Sequence, residues 1–408
     1  MTRSNYKVIK IGGSILTGPT SFLRIAQGLL KRFHSGVVLI TSAMKGRTDD
    51  LIQTFEKAIP MEDFWNYERF IGMGEIETAI LFEAAFTSIR KEAKAILPWM
   101  EGWPIHISLK RSGTERRDFT ILPRSRSSVK RSIKPLLQKG YVIVVPGFIA
   151  KDGRGRILTL GRGGSDISAL IIGELLKTPE IIFIKDVAGV MTADPKFSRK
   201  SRVIPYLDSD KLGMITASGA KVLNPISLKH QRRVRRIKFI SAEAKGLKSG
   251  TVIEFVSGVK VIPVRKRFAV LTFIGERIPQ TTGILYEIAK ALKSEGISIY
   301  SISLSDNIVA VYVVERIAEK TYRLLIPLID KIKNLKVINL KKGIGKIVVR
   351  SLRFIDEPGV IKRIVTPIAK AGINIWEILT VHTDIMVYVE WKDLIPTVEI
   401  VRRIFQRG

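Results

Sequence analysis

The chain has 408 residues, 46% of them hydrophobic, which is enough for two or three domains with packed cores. It contains no cysteine, which excludes disulfide bonds and thiolate chemistry, and no apolar run approaches the ~18 residues of a membrane span. With 68 Lys and Arg against 37 Asp and Glu, its formal net charge of +31 is unusually high.

The basic residues cluster at 110–131 and at 229–238. These clusters could bind nucleic acid or another anionic surface, or they could be solvated faces of a generally basic chain near an anionic substrate. No nucleic-acid-binding motif accompanies them, so the second interpretation is favoured. Because Gly12-Gly13 interrupts the first apolar run, we expect no signal peptide and a cytoplasmic protein without membrane contact.

The first elements in chain order predict a β-α-β unit. Tyr6–Ile11 reads as a buried strand, residues 20–33 as a helix, and Val37–Thr41 as a second strand, which favours a parallel sheet with crossover helices. Lys10 lies near the end of the first strand and just before Gly12-Gly13. Open α/β sheets bind ligands at this edge, although the glycines do not form a P-loop motif.

Two polar residues follow at the starts of predicted helices. Thr48 comes after a small-residue loop, in a position where it can cap the helix. Glu75 follows a glycine and precedes an apolar helix, where the helix dipole favours a carboxylate. Tyr141–Val145 then predicts another buried strand.

Residues 159–196 are the most informative stretch. The turn Gly161–Asp166 opens an apolar helix at about 167–177, and the strand Ile181–Ile184 runs on into Lys185-Asp186. Glycines let main-chain N–H groups approach an anion, and a helix start adds its positive dipole end. The Arg and Asp of the turn add both signs of charge, which suits a phosphate that meets a small zwitterion. Taken alone, the glycines are equally consistent with a structural turn.

The continuation of this stretch resembles the aspartate kinase signature of the amino-acid kinase superfamily. Thr159–Asp166 reads TLGRGGSD and residues 189–195 read GVMTADP, as in that family. Lys10–Ser14 is similar to the family's K-F-G-G-T/S, and residues 219–223 match its G-A-K-V-L. The resemblance covers nearly the whole chain and implies an α/β catalytic domain at residues 1–257, with a mainly parallel sheet and helices on both faces.

Two residues and one segment depart from the family pattern. Lys185 replaces a threonine, Asn224 replaces a histidine, and residues 207–212 differ from the usual L-S-Y-x-E-A. The family places these positions near the base and ribose of the nucleotide. They therefore put nucleotide preference in doubt more than the phosphoryl chemistry.

The resemblance implies that ATP phosphorylates the β-carboxylate of L-aspartate, giving 4-phospho-L-aspartate in the first step of lysine, threonine and methionine biosynthesis. Lys10 would stabilise the transferring group and Asp166 would position the lysines, while Gly12, Gly13 and Gly163 would offer N–H donors. The residues expected to contact aspartate are Thr48, Glu75, Arg162 and Ser165. The residues expected to contact ATP are Gly12, Gly13, Ser14, Gly163, Gly164, Lys185, Asp186, Met191, Lys196 and Lys221. Mg²⁺ would be held by ATP oxygens and water, with no side-chain ligand assigned.

The C-terminal part repeats itself every 76 residues. Gly283 and Gly296 in the first copy correspond to Gly359 and Gly372 in the second. The predicted order of strand, helix and two strands resembles tandem ferredoxin-like α+β ACT domains, at residues 265–344 and 345–408, after a linker at 258–266. The second copy lacks a last strand in sequence, and Val337–Leu340 is a strand that the copies could share.

Paired ACT domains imply a homodimer or higher homo-oligomer with an amino-acid effector, lysine or threonine, at the interface. Two alternatives stay open for the function. One is a kinase for another amino-acid or carboxylate substrate on the same fold, and the other is a basic nucleic-acid-binding or regulatory protein on a degenerate kinase scaffold. The pairing of Arg162 with Glu75 favours a substrate with an α-amino acid head.

Overall fold

The computed structural model describes residues 6–59, 63–109, 119–187, 189–194, 197–198, 200–218, 222–223, 234–244, 249–255, 258–355 and 357–406. The chain divides into two compact units, residues 1–257 and 258–408. None of the described helices combines the length and apolar character that crossing a bilayer requires.

The first unit is built on an eight-stranded sheet with two small hairpins beside it. Its strands are β1 (Lys7–Ile11), β2 (Val37–Thr41), β3 (Ala93–Ala95), β4 (Ile107–Leu109), β5 (Phe119–Ile121), β6 (Val142–Pro146), β7 (Ile149–Lys151), β8 (Ile157–Thr159), β9 (Glu180–Lys185), β10 (Tyr206–Asp208), β11 (Arg236–Ser241) and β12 (Thr251–Glu254). Its helices are α1 (Thr20–Arg32), α2 (Arg47–Ala58), α3 (Phe64–Ile71), α4 (Met73–Ser88), α5 (Pro123–Ser128), α6 (Lys134–Gln138), α7 (Gly164–Leu176) and α8 (Ser209–Ala217).

The strand order in this sheet is β10-β12-β11-β9-β1-β2-β6-β3, and only the β11–β12 pair is antiparallel. β2 and β6 are buried along their whole length, as is β1 beyond its first residue. Such continuous apolar runs are expected of strands covered on both faces. The predicted mainly parallel sheet is therefore confirmed. The helix α7 begins three residues earlier than the sequence suggested.

The second unit carries a seven-stranded antiparallel sheet. Its strands are β13 (Lys260–Pro263), β14 (Phe268–Gly275), β15 (Ser301–Leu304), β16 (Ile308–Val314), β17 (Leu335–Arg350), β18 (Ile375–Val381) and β19 (Asp384–Glu390). Its helices are α9 (Ile284–Ser294), α10 (Ala318–Leu325), α11 (Leu328–Lys331), α12 (Val360–Lys370) and α13 (Leu394–Gln406).

The long strand β17 belongs to both copies of the repeat. Its first part pairs with β14 and its second part pairs with β19, so each copy has its own core under its own helices. β13 pairs with the second part of β17, from Lys260 opposite Arg350 to Pro263 opposite Ile347. The second copy lacks a last strand in its own sequence, and β13, which precedes the first copy in the chain, takes that place in the sheet. The interpretation of residues 258–266 as a linker is wrong for β13.

Candidate functional site

The candidate site lies where β1 and β9 end side by side in the parallel sheet. Lys10 is opposite Phe183 in this pairing, and Lys185 is the last residue of β9. The N–H of Gly12 donates to the carbonyl of Ile184 at 3.0 Å, which joins the glycine loop to the neighbouring strand end. This N–H is engaged within the protein, and the role of Gly12 at a phosphate stays a prediction.

An ion pair joins two segments that are far apart in sequence at this edge. Lys10 Nζ lies 2.9 Å from Asp166 Oδ1, and both side chains are buried. Asp166 sits in the first turn of α7, where its carboxylate is also favoured by the helix dipole. The structure thus brings together the two residues for which the sequence suggested a catalytic role.

The glycine turn before α7 depends on backbone conformations that suit glycine. Gly161 and Gly163 have φ values of +77° and +78°, and Gly163 is the N-cap of α7. The N–H of Gly164 donates to the Gly161 carbonyl at 2.9 Å, so this N–H too is engaged within the protein. A side chain on Gly147 would come within 2.8 Å of Ser165 Cβ, which shows how closely the bend after β6 approaches the turn.

Lys185 joins the same charge cluster, although the family pattern suggested a position near the base and ribose. Its pKa is lowered by burial, an effect that the nearby Asp166 and Asp186 oppose and that Lys10 reinforces. Its ammonium donates to the carbonyl of Val222 at 2.5 Å. Beside it, Ser14 Oγ donates to Asp186 Oδ1 at 3.0 Å.

Glu75 is a buried carboxylate close to Lys10. Burial raises its pKa to about 8, and hydrogen bonds from the main chain of Ala43 and of Glu75 itself, together with the charge of Lys10, offset this only in part. Its Oε2 atom is buried and has no hydrogen-bond partner among the described residues. Because a buried carboxylate oxygen without a hydrogen-bond partner is costly, this atom is suited to a cationic ligand.

The remaining predicted residues lie in different surroundings. Thr48 is half-buried in the first turn of α2, and Arg162 is exposed on the glycine turn. Met191 forms an isolated bridge with Val203. Lys196 and Lys221 lie outside the described residues.

Sequence reasoning missed two features of this region. Arg47 forms a bidentate ion pair with Glu77, in which Nε donates to Oε2 at 3.1 Å and Nη2 donates to Oε1 at 2.7 Å. This pair holds the start of α2 against α4. A side chain on Gly74 would come within 2.8 Å of Ala43 Cβ. An arginine and a glutamate 30 residues apart give no local signal, but the glycine before Glu75 was a hint of close approach.

Residues 5–241 match the amino acid kinase family, to which the chain therefore belongs. Among its relatives, an aspartokinase of Helicobacter pylori is 25% identical over 405 residues, covering 94% of this chain and 95% of the relative. An aspartokinase of Thermus thermophilus is 24% identical over 396 residues, covering 94% of each chain.

Solved aspartate kinases have the same fold. The enzyme from Synechocystis superposes with a TM-score of 0.69 at 19% identity, covering 98% of this chain and 69% of that one. E. coli aspartokinase III in complex with aspartate and ADP gives a TM-score of 0.54 at 19% identity, covering 98% and 99%. The same E. coli protein in complex with lysine and aspartate gives 0.53 at 18% identity, with the same coverage.

Proposed function

We propose that this protein is an aspartate kinase, which uses ATP to convert L-aspartate into 4-phospho-L-aspartate at the start of lysine, threonine and methionine biosynthesis. The observation that carries the proposal is the convergence of the Lys10–Asp166 ion pair with the unpaired buried carboxylate oxygen of Glu75. The similarity to aspartokinases over 94% of the chain supports aspartate as the acceptor.

In the proposed reaction, an oxygen of the β-carboxylate attacks the γ-phosphorus of ATP. A new O–P bond forms, the bond from this phosphorus to the β–γ bridging oxygen breaks, and ADP leaves. A carboxylate with a pKa of ~3.9 is ionised at neutral pH and needs no general base. What the protein must supply is in-line positioning and stabilisation of the charge on the transferring group.

The buried Lys10 and the partly buried Lys185 would supply that positive charge. Lys10, held at 2.9 Å by Asp166, would contact the transferring phosphoryl group. Lys185 would face the phosphates from the neighbouring strand end, since its ammonium belongs to the same cluster. Asp166 would keep Lys10 in place, and the N–H groups of Gly13 and Gly163 would add donors to phosphate oxygens.

The amino-acid head of the substrate would be bound by groups of opposite charge. Glu75 would accept the α-ammonium group through its unpaired oxygen. Arg162 would donate to the α-carboxylate with two N–H groups, and Ser165 and Thr48 would complete the pocket. A substrate without an α-amino acid head would leave Glu75 buried and unpaired, which disfavours it.

Among the described residues, no cluster of three His, Asp or Glu side chains could hold a metal ion. Asp166 is paired with Lys10, and Asp186 accepts from Ser14. The residues present therefore fit a Mg²⁺ ion that arrives with ATP and keeps phosphate oxygens and water as its ligands. When bound, the ion would neutralise phosphate charge.

Regulation by an amino acid is the second part of the proposal. The second unit consists of two similar α+β copies, and E. coli aspartokinase III has been solved with lysine bound. Lysine or threonine would bind in the loops 275–282, 305–307 or 356–359, between copies of a homo-oligomer. The cytoplasmic location stays a prediction.

A hydroxylamine trap for acyl phosphate tests both parts. With ATP, Mg²⁺ and a panel of amino acids, we expect product from L-aspartate alone, and we expect lysine or threonine to reduce its rate. Lys10→Met should lower kcat by about 10²-fold or more, because a preorganised charge at the transferring group is lost. Product from a different carboxylate, or wild-type turnover in Lys10→Met, would overturn the proposed reaction. An unchanged rate with both amino acids would overturn only the regulation.

A further inference from the structure

Glu68, on α3, is a buried carboxylate outside the site described above. Only 2% of its surface is exposed. Its Oε2 atom accepts hydrogen bonds from the main-chain N–H and from the hydroxyl of Thr159, both at 2.7 Å. Burying a carboxylate is unfavourable unless such hydrogen bonds compensate. Here both hydrogen bonds come from a single residue, 91 positions away in the chain.

Each partner lies a short distance along the chain from one half of the proposed aspartate pocket. Thr159 is the last residue of β8 and is followed, after Leu160, by the glycine turn with Arg162. Glu68 precedes Glu75 by one short helix turn and the α3–α4 junction at Gly72. The hydrogen bonds therefore join the segment that carries the proposed ammonium ligand to the segment that carries the proposed carboxylate ligand.

A second contact lies beside this one and does not involve the carboxylate. A side chain on Gly72 would come within 3.2 Å of Ile149 Cγ1, so the α3–α4 junction packs directly on β7. Ile149 is the cross-strand partner of Thr159 in the β7–β8 hairpin. The helix junction and the hairpin are thus fixed to each other at neighbouring points.

We infer that Glu68 and Thr159 form a positioning pair, which sets the spacing between Glu75 and Arg162 and so controls the affinity for the amino-acid substrate. This inference rests on the proposed function, since it takes aspartate as the ligand. Glu68 acts through Thr159 and the glycine turn rather than through contact with substrate. Displacing one half of a binding site by a fraction of an ångström is enough to weaken binding markedly.

Matched substitutions at Thr159 separate the hydroxyl from the rest of the side chain. Thr159→Val removes the hydroxyl donor at nearly constant volume, and Thr159→Ser keeps it. We expect the KM for aspartate to rise about tenfold in Thr159→Val and to stay within about twofold in Thr159→Ser, because only the first loses a hydrogen bond to a charged group. The KM for ATP should change less than the KM for aspartate in both.

Glu68→Gln gives an independent approach that preserves side-chain volume. It should also raise the KM for aspartate. The double variant Glu68→Gln/Thr159→Val should raise this KM by less than the product of the two single fold-changes, because both substitutions act on one interaction. Fully additive effects would show that the two residues act separately and would overturn the pairing.

Hydrogen exchange distinguishes positioning from general support of the fold. Peptides that cover residues 160–167 should exchange faster in Thr159→Val and in Glu68→Gln than in wild type, with Thr159→Ser unchanged. The inference is wrong if the folded variants keep the wild-type KM for aspartate and the wild-type exchange rates. It is also wrong if the only changes are a lower melting temperature and a smaller active fraction. If wild type itself makes no acyl phosphate from aspartate, the proposed function fails, while the exchange comparison still tests the pair.

Discussion

At the residue scale, Glu75 is a buried carboxylate whose protonation state depends on its immediate surroundings. Its carboxylate is buried beside Lys10, yet one oxygen has no hydrogen-bond partner among the described residues. Burial raises its pKa to about 8, well above the 4.5 of a free glutamate. The neutral form is therefore favoured, and a cation placed beside it would stabilise the charged form instead.

This raised pKa predicts that the free energy of unfolding depends on pH. The unfolded chain ionises Glu75 near pH 4.5, whereas the folded protein keeps its proton up to about pH 8. Glu75 therefore stabilises the fold below pH 4.5, and this contribution is lost as the pH rises towards 8. Glu75→Gln cannot ionise at this position. Between about pH 5 and pH 8, its free energy of unfolding relative to that of wild type should therefore rise, by an amount on the order of a few kcal/mol.

Urea unfolding of both proteins at several pH values measures this difference. The same variant should raise the KM for aspartate by at least about tenfold, since a neutral amide replaces the charge that would bind the ammonium group. Glu56→Gln, an exposed position on α2, is the control and should show neither effect. A stability difference that is constant with pH would mean that Glu75 is ionised in the folded protein.

At the element scale, the strands of the candidate site could be predicted from sequence because each carries a local signal. β1 and β9 are short apolar runs with β-branched residues, and a parallel sheet brings their ends to one edge. The Lys10–Asp166 contact itself follows from no local pattern, since the two residues are far apart in the chain, and it was expected only through the family resemblance. Glu68 was not predicted at all, because nothing near it in sequence marks its partner.

The strand β13 was missed for a related physical reason. Four residues in a basic, proline-containing segment read as a linker, and only the open edge of β17 makes them a strand. Pairing between strands depends on a partner that is distant in sequence, so a short edge strand has little signal of its own. The same holds for the full length of β17, of which the sequence indicated Val337–Leu340 as a strand that the copies could share.

β13 offers a prediction with a built-in control. Val261 packs on the core under α12 and α13, whereas the adjacent Ile262 is 39% exposed. Val261→Asp should destabilise the second unit by ~1–3 kcal/mol because it places a charge against apolar side chains, and Ile262→Asp should cost less than about 0.5 kcal/mol. Hydrogen exchange of peptides from β17 and β19 measures both. Equal effects would mean that β13 does not hold this register.

At the scale of the whole molecule, the charge of the chain is spread over both units. Residues 1–257 contain 43 Lys and Arg against 23 Asp and Glu, and residues 258–408 contain 25 against 14. The excess per residue is nearly the same in the two, so the basic character is not confined to the unit that would bind ATP. It fits a generally basic chain better than a dedicated anion-binding surface.

A net charge of +31 should make added salt act in two opposite directions. Like charges repel one another in the folded protein, so raising KCl from about 0.05 M to about 0.5 M should raise the melting temperature. The same screening weakens the attraction of anionic substrates, so the KM for ATP should rise over that range, by roughly threefold or more. An uncharged osmolyte such as sucrose at matched osmolarity should stabilise the fold without raising the KM. If salt leaves the KM for ATP unchanged while it raises the melting temperature, the excess charge lies too far from the nucleotide to assist its binding, and Lys10 and Lys185 alone account for phosphate affinity.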